Sequence, residues 1–396
     1  MRFRFGEECT LDEETRELRR GGIPVPIEPQ VFDLLAHLLH SRDRVVTRDD
    51  LLQAVWGGRI VSESTLGSRV NAARRAIGDS GEAQALIRTI NRRGFRFMGA
   101  VQEQPREPTE RGDPAHRQDV TFCRSADGVT LAIASSGEGP PLVRAGNWLT
   151  HVEQDWDSPL WSPLLRGLSA HNRLVRYDAR GNGLSDREVT DISLDAFVRD
   201  LEAVTDAMGL REFALVGASQ GGAVAIAYAA AHPERVTRLI LSGAYARGRN
   251  RRGTPIEREK AQALMTLMRE GWGDPRSAFM QAFSSVYLPR GTSEQIRWWT
   301  DLQRTTTSAE TAIRFRNACD DIDVTALLPH VRAPTLVIHA RGDTVSPIEE
   351  GRLIAATIPG AHFVTLESDN HVMLEGEPAW PRFLAEIERF LAPLPA

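Results

Sequence analysis

The spacing of apolar and polar residues changes character along the chain. Residues 2–5 (RFRF), 10–18 (TLDEETREL) and 21–28 (GGIPVPIE) are short mixed runs broken by turn formers. They predict short strands, with a hairpin turn at Gly21-Gly22. From residue 30 the period becomes helical, because Val31, Leu34, Leu35, Leu38 and Leu39 recur on one face. Thr47 then stands as the cap of TRDDLLQAVWG, with acidic residues in its first turn, and Ser62 as the cap of SESTLGSRVNAARRAIG. In this third helix Leu66, Val70, Ala73 and Ile77 form one stripe that predicts a buried face. Ser64, Thr65, Ser68, Arg69, Asn71 and Arg75 lie on the other face. LIRTINRRGFRFMG follows as strand, turn and strand, with Arg92 and Arg93 at the tip.

Residues 102–118 (QEQPREPTERGDPAHRQ) are rich in proline and charge and poor in apolar side chains. Such a segment buries too little surface to offset its ordering entropy and is expected to be a linker. Beyond it, a hairpin is expected around Asp127-Gly128. The apolar runs PLVRAG, RLVRYD, FALVG, RLILSG, PTLVIHA and HFVTLE follow, separated by helical stretches. Strands alternating with helices predict a mostly parallel sheet covered on both faces. Between RLILSG and PTLVIHA, at about residues 249–333, the pattern is helical throughout. Met265, Met268, Phe279, Phe283, Trp298 and Trp299 give that insertion an apolar inner face. The expected organisation is a small α+β domain at 1–101, a linker at 102–118, and an α/β domain with a helical cap at 119–396.

Composition narrows the functional classes. The 396 residues are 41% hydrophobic and 26% charged, ordinary values for a globular chain. The net charge of −5 does not suggest nucleic acid, but its distribution does. Residues 41–101 carry 11 arginines against 6 acidic residues, a local positive excess. Cys9, Cys123 and Cys319 are far apart and lack metal-ligand spacing, which fits a reduced cytoplasm and predicts neither a disulfide framework nor a metal site. No apolar run reaches the ~18 residues of a membrane span. With no Gly-rich dinucleotide loop and no phosphate loop, no cofactor is expected.

A polar-faced helix followed by a basic hairpin is the arrangement of a winged helix, in which the helix enters the major groove and the wing reaches an adjacent groove or the backbone. Residues 1–100 resemble the OmpR/PhoB-type effector domain through RVVTRDDLLQAVWG, VSESTLGSRVNAARRAIGD and the closing RTINRRGFRF. The resemblance implies binding to double-stranded DNA. The residues suited to phosphates and base edges are Ser64, Thr65, Ser68, Arg69, Asn71, Arg75, Arg92 and Arg93. Gly67 and Ala72 stand where that family usually has larger or basic residues, so base preference does not carry over.

In the second domain Gly217-Ala218-Ser219-Gln220-Gly221 follows an apolar strand and precedes a small-residue helix. This is the context in which a G-x-S-x-G sequence presents a nucleophilic serine. A serine needs a base, and the base an orienting acid, in the chain order Ser, acid, His. Asp343 follows the strand PTLVIHA, and His371 lies on the loop after HFVTLE. His339 lies within a strand as an expected core residue, and Asp320, Asp321 and Asp323 precede the strand where they would end a helix. The chain from about 120 to 394 thus resembles the α/β-hydrolase superfamily, also through YDARGNGLSD and AHPERVTRLILSG. The resemblance implies an oxyanion hole of two backbone N–H groups, from Gln220 and from the loop Ala145-Gly146-Asn147-Trp148. Trp148 is the aligned donor and Asn147 the alternative. Many members have His-Gly in that loop. His151 and Trp156 are placed either to line the pocket or to serve the structure.

Two readings are carried forward. In one, a cytoplasmic transcription regulator binds, and can hydrolyse, a small ester- or carbonyl-containing ligand, with DNA, RNA polymerase and a second copy of the chain as partners. In the other, a serine esterase uses the winged helix only for localisation or dimerisation.

Overall fold

A computed structural model of the chain describes residues 2–392 apart from 7, 13–16, 26, 57–62, 92, 105–116, 273 and 275–276. The chain divides into two compact units, residues 1–111 and 112–396.

The first unit begins with β1 (Arg2–Phe5), β2 (Cys9–Asp12), β3 (Glu17–Arg20) and β4 (Ile23–Val25). It continues with α1 (Pro29–His40), α2 (Arg48–Trp56), α3 (Glu63–Ala76), the hairpin β5 (Ile87–Ile90) and β6 (Gly94–Phe97), and β7 (Val101–Gln104). The leading sheet is antiparallel, in the order β4-β3-β2-β1-β7. Phe3, Phe5, Leu11 and Leu18 bury one face of it in the same core as Leu34, Leu35, Val70 and Ala73. At the start of α2, Asp50 N–H donates to Thr47 Oγ1 (3.1 Å) and Thr47 N–H donates to Asp50 Oδ2 (3.0 Å). This reciprocal cap satisfies two of the N–H groups that the first turn of α2 leaves without helical partners. The Ser62 cap lies outside the described residues.

Both ends of the expected linker differ from expectation. Residues 102–104, read as the start of the linker, belong to β7, and Gln118, read as its end, opens the next strand. The partner of β7 is β1, about a hundred residues earlier. A polar edge strand held by so distant a partner carries no local hydrophobic signature. Residues 105–116 of the expected linker lie outside the described residues.

The second unit opens with β8 (Gln118–Arg124), β9 (Thr130–Ser136), β10 (Pro141–Arg144), α4 (Val152–Trp156), α5 (Ser162–Ser169) and β11 (Arg173–Tyr177). Next come α6 (Leu194–Ala207), β12 (Phe213–Ala218), α7 (Gln220–Ala231) and β13 (Val236–Ser242). The insertion holds α8 (Arg249–Arg252), α9 (Pro255–Gly271), α10 (Ala278–Tyr287), α11 (Ser293–Thr306) and α12 (Ala309–Asp320). The unit closes with β14 (Thr335–Ala340), α13 (Ile348–Thr357), β15 (His362–Leu366) and α14 (Trp380–Leu391).

The sheet order is β15-β14-β13-β12-β10-β11-β9-β8, parallel from β15 to β11 and antiparallel at β9 and β8. All six apolar runs read from the sequence are strands of this sheet. β14 is buried at every position, which is why its sequence is a continuous apolar run and not an alternating one. β10 pairs with β11 on one side and β12 on the other, so the chain reverses its direction of growth there. Open α/β sheets place ligands outside the strand ends at such a switch point.

Candidate functional site

Ser219 sits between β12 and α7 with φ 53° and ψ −126°, in a region L-residues rarely occupy. The local sequence permits this turn because its glycines leave room for neighbouring backbone. A Cβ on Gly217 would lie 2.6 Å from Gly222 Cα, and one on Gly221 would lie 2.9 Å from Gly146 O. The second approach brings the loop after β10 against the start of α7. Ser219 N–H donates to Ser242 O (3.0 Å), which pins the turn to the end of β13.

Asp343 follows β14. Its Oδ1 accepts from the N–H groups of Val345 (2.8 Å) and Ser346 (2.9 Å), and its Oδ2 lies 2.6 Å from His371 Nδ1. Burial works against ionisation of this carboxyl, but the charge and hydrogen bond of His371 and the Ser346 amide hold it below the usual carboxylate range. With Nδ1–H committed to Asp343, His371 Nε2 is the nitrogen left to act as a base. Ser219 and His371 line one cavity with about 50 Å³ open to the centres of water-sized spheres. No hydrogen bond joins them, and such pairs often tighten only when substrate arrives. His339 is a buried strand residue whose Nε2 bonds Ser346 O (2.8 Å), and Asp320 ends α12.

Gln220 occupies the first position of α7, where the backbone N–H has no acceptor within the helix. Asn147 and Trp148 both line the cavity beside Ser219. The Trp148 indole N–H donates to Gln303 Oε1 (3.2 Å), and Gln303 Nε2 donates to Ser284 Oγ (3.0 Å). Ser284 and Thr300 hydroxyls lie 2.7 Å apart. All four residues are buried. This chain of polar groups ties the loop after β10 to cap helices α10 and α11. A second tie joins the cap to the histidine loop, where His371 N–H donates to Tyr287 O (3.0 Å).

Of the six apolar cap residues noted in the sequence, Trp299 reaches the cavity wall. Tyr287, which lines the cavity and meets the His371 ring edge-on at 5.7 Å, was missed. It ends an apolar helix and has no local pattern to separate it from packing residues. His151 caps α4, its Nδ1 accepting from Gln154 N–H (3.4 Å), and Trp156 packs beneath the Arg166 and Arg176 guanidinium groups. Neither lines the cavity, so both follow the structural alternative.

In the first unit Leu66, Val70, Ala73 and Ile77 are buried, as their spacing predicts. Ser68, Asn71 and Arg75 are exposed on α3, Thr65 and Arg69 are half-buried, and Arg93 is exposed at the turn of the β5–β6 hairpin. Arg69 is ion-paired with Glu28. The Ser64 side chain and Arg92 lie outside the described residues. Arg74 is buried and donates to Ile87 O (2.8 and 3.0 Å) and Thr89 Oγ1 (2.8 Å), fastening α3 to the hairpin. Among the described residues no group of His, Cys, Asp and Glu has a metal-binding arrangement, and no helix is long and apolar enough to cross a membrane.

Residues 156–378 match the family model of the α/β-hydrolase fold, more than half of the chain. The chain belongs to the α/β-hydrolase family. Residues 22–97 match the model of the C-terminal domain of transcriptional regulatory proteins, so a regulator DNA-binding domain of the OmpR/PhoB type is fused to the hydrolase domain. The hydrolase domain is similar to a non-heme haloperoxidase of Rhodococcus erythropolis, 28% identical over 60% of this chain and 88% of the relative. It is similar also to the pimeloyl-[acyl-carrier protein] methyl ester esterase of Nitrosomonas europaea, 26% identical over 61% of this chain and 93% of that one. A solved hydrolase from Pseudomonas aeruginosa PA01 superposes with a TM-score of 0.58 at 26% identity, covering 69% of this chain and 99% of its own.

Proposed function

We propose that the chain is a DNA-binding transcription regulator whose hydrolase domain binds a small carbonyl-containing ligand and cleaves it through Ser219, His371 and Asp343. The observation that carries the reading is the 2.6 Å His371–Asp343 pair in a cavity shared with a serine on a strained strand-to-helix turn.

Ser219 Oγ attacks the carbonyl carbon while its proton passes to His371 Nε2. Asp343 holds the imidazole in the required tautomer and offsets the imidazolium charge. The Gln220 N–H and the Trp148 N–H, with Asn147 as the alternative second donor, face the developing oxyanion. His371 returns the proton to the leaving alcohol, and water then releases the acyl group by the same route. The exposed Ser68, Asn71, Arg75 and Arg93, with Arg69, Thr65, Ser64 and Arg92, supply the DNA contacts. Occupancy of the pocket biases DNA binding, with the regulator acting as a dimer and meeting RNA polymerase at the promoter.

A fluorophosphonate probe tests the chemistry: it should label the wild type and leave Ser219→Ala unlabelled. Absence of labelling in the folded wild-type protein would refute a nucleophilic Ser219. The esterase reading, in which the winged helix only localises the enzyme, is favoured if labelling occurs and the full chain selects no DNA sequence.

A further inference from the structure

On the cap side of Ser219 lies a second, smaller chamber of different chemistry. Trp148, Ser219 and Tyr287 line both chambers. The larger is walled mainly by apolar groups such as Trp161, Leu164, Val216 and Ile240. The smaller is lined by Arg249 and Arg252 from α8 and by Arg316 and Asp320 from α12, together with Gln220 and Tyr245. Its volume is about 20 Å³, room for a small polar group.

The charges in this chamber do not balance. Arg316 is buried and spends its Nε on Asp320 (3.2 Å) and its Nη1 on the Tyr287 hydroxyl (3.1 Å). Arg252 donates to the carbonyls of Arg247 and Val345 (2.9 Å each) and, among the described residues, makes no direct ion pair, though the charges of Glu350 and Asp320 reach it. Glu350, the next acid, is engaged by Arg247 at 2.7 Å. The half-buried Arg249 side chain donates no hydrogen bond within the described residues. Burial, reinforced by the charge of Arg316, lowers Arg249 below the ordinary guanidinium value. Three guanidinium groups thus face one carboxylate. Gln220, only 2% exposed, has neither side-chain nitrogen nor oxygen partnered. Buried polar groups are rarely left so, because such a group has given up its water without gaining a partner. Arg144, buried in the larger chamber, feels the charge of Asp155, as Arg252 feels those of Glu350 and Asp320.

The geometry points to an anion subsite: Arg249, Arg252 and Arg316, with the Gln220 amide, bind a carboxylate carried by the same ligand whose carbonyl meets Ser219, while the apolar chamber takes the rest of the molecule. The ligand class is an acidic acyl compound such as a half-ester of a dicarboxylic acid. A planar carboxylate suits guanidinium forks. The inference rests on the reading of Ser219 as the reacting centre, and its test separates the two.

Ser219→Ala protein, which cannot turn over, is titrated with monomethyl half-esters of linear dicarboxylic acids of increasing length and with the matching dimethyl esters. The expected result is a half-ester of one length binding about tenfold or more tighter than its diester. That advantage should fall to about unity when Arg249→Gln is added and return in part with Arg249→Lys. Equal binding of both series, no binding of either, or an advantage that survives Arg249→Gln would overturn the subsite. Fluorophosphonate labelling of the wild type reports separately on the reacting serine. Labelling without half-ester preference overturns the subsite alone. Preference without labelling keeps the subsite and overturns the hydrolytic reading.

Discussion

The two domains place their chemistry on opposite kinds of surface. In the winged helix the apolar stripe of α3 is spent on the core, and Ser68, Asn71 and Arg75 face outward. In the hydrolase domain the candidate serine and histidine, Ser219 and His371, instead line an internal cavity walled partly by cap residues Tyr287 and Trp299. The first arrangement suits a partner too large to be enclosed. The second suits a small molecule taken out of water. The difference also determines what can be perturbed. Each surface group is one of many that meet the partner, so removing it has a graded effect, whereas a triad acts as a unit and fails abruptly.

The sharpest break is expected at the centre of the hydrolase domain. Ser219→Ala or His371→Ala should lower turnover of an accepted ester by about a thousandfold or more, read by steady-state kinetics. Retention of most activity would place the nucleophile elsewhere. Asp343→Asn should lower kcat by about two to four orders of magnitude with little change in KM, because it leaves the site intact and loses the tautomer control. A loss confined to KM would contradict that assignment.

Gln303→Leu removes the middle of the chain from Trp148 to Ser284 and leaves the indole N–H without its acceptor. It should destabilise the hydrolase unit by about 1–3 kcal/mol in urea denaturation, because a buried donor is orphaned. Unchanged stability would mean that the cap is not held to the loop by this route. On the graded side, Arg92→Ala with Arg93→Ala should reduce the salt slope of DNA binding by about two, roughly one for each phosphate no longer neutralised. An unchanged slope would remove the wing from the interface.

The smallest effect concerns pH. Asp343 has a folded-state pKa below its unfolded value, so its ionisation stabilises the fold above the unfolded pKa, and that contribution is lost as pH falls through the folded value. The stability difference between wild type and Asp343→Asn should therefore shrink as pH falls below the ordinary carboxylate value of about 3.9 and through the lower folded value. A difference that stays constant across that range would contradict the lowered pKa.

How much of this was legible in the sequence follows from how local each signal is. The six sheet strands were readable because fully buried parallel strands are continuous apolar runs. The spatial grouping of Ser219, Asp343 and His371 was readable because each follows such a run, in a fixed chain order. The α3 stripe was readable because helical spacing exposes it. β7 was not readable, since Val101–Gln104 is polar and is ordered by a strand near the other end of the unit. That Tyr287, Arg249 and Arg316 line the chambers beside Ser219 was not readable either. They come from three cap helices, and only the packing of those helices brings them to Ser219. The Ala145-Gly146-Asn147-Trp148 loop departs from the common pattern of its family. Its structural meaning became visible only once Gly146 was seen against Gly221 and Trp148 against Gln303.

The central claim is that an enclosed serine site and a DNA-reading face work in one regulator. Selection of genomic DNA fragments by the full-length protein tests it most directly, performed with unmodified protein and again after fluorophosphonate has occupied Ser219. The account predicts enrichment of a defined sequence, with its occupancy shifted several-fold by the modification. Enrichment no better than bulk DNA, or identical enrichment in both states, would contradict it.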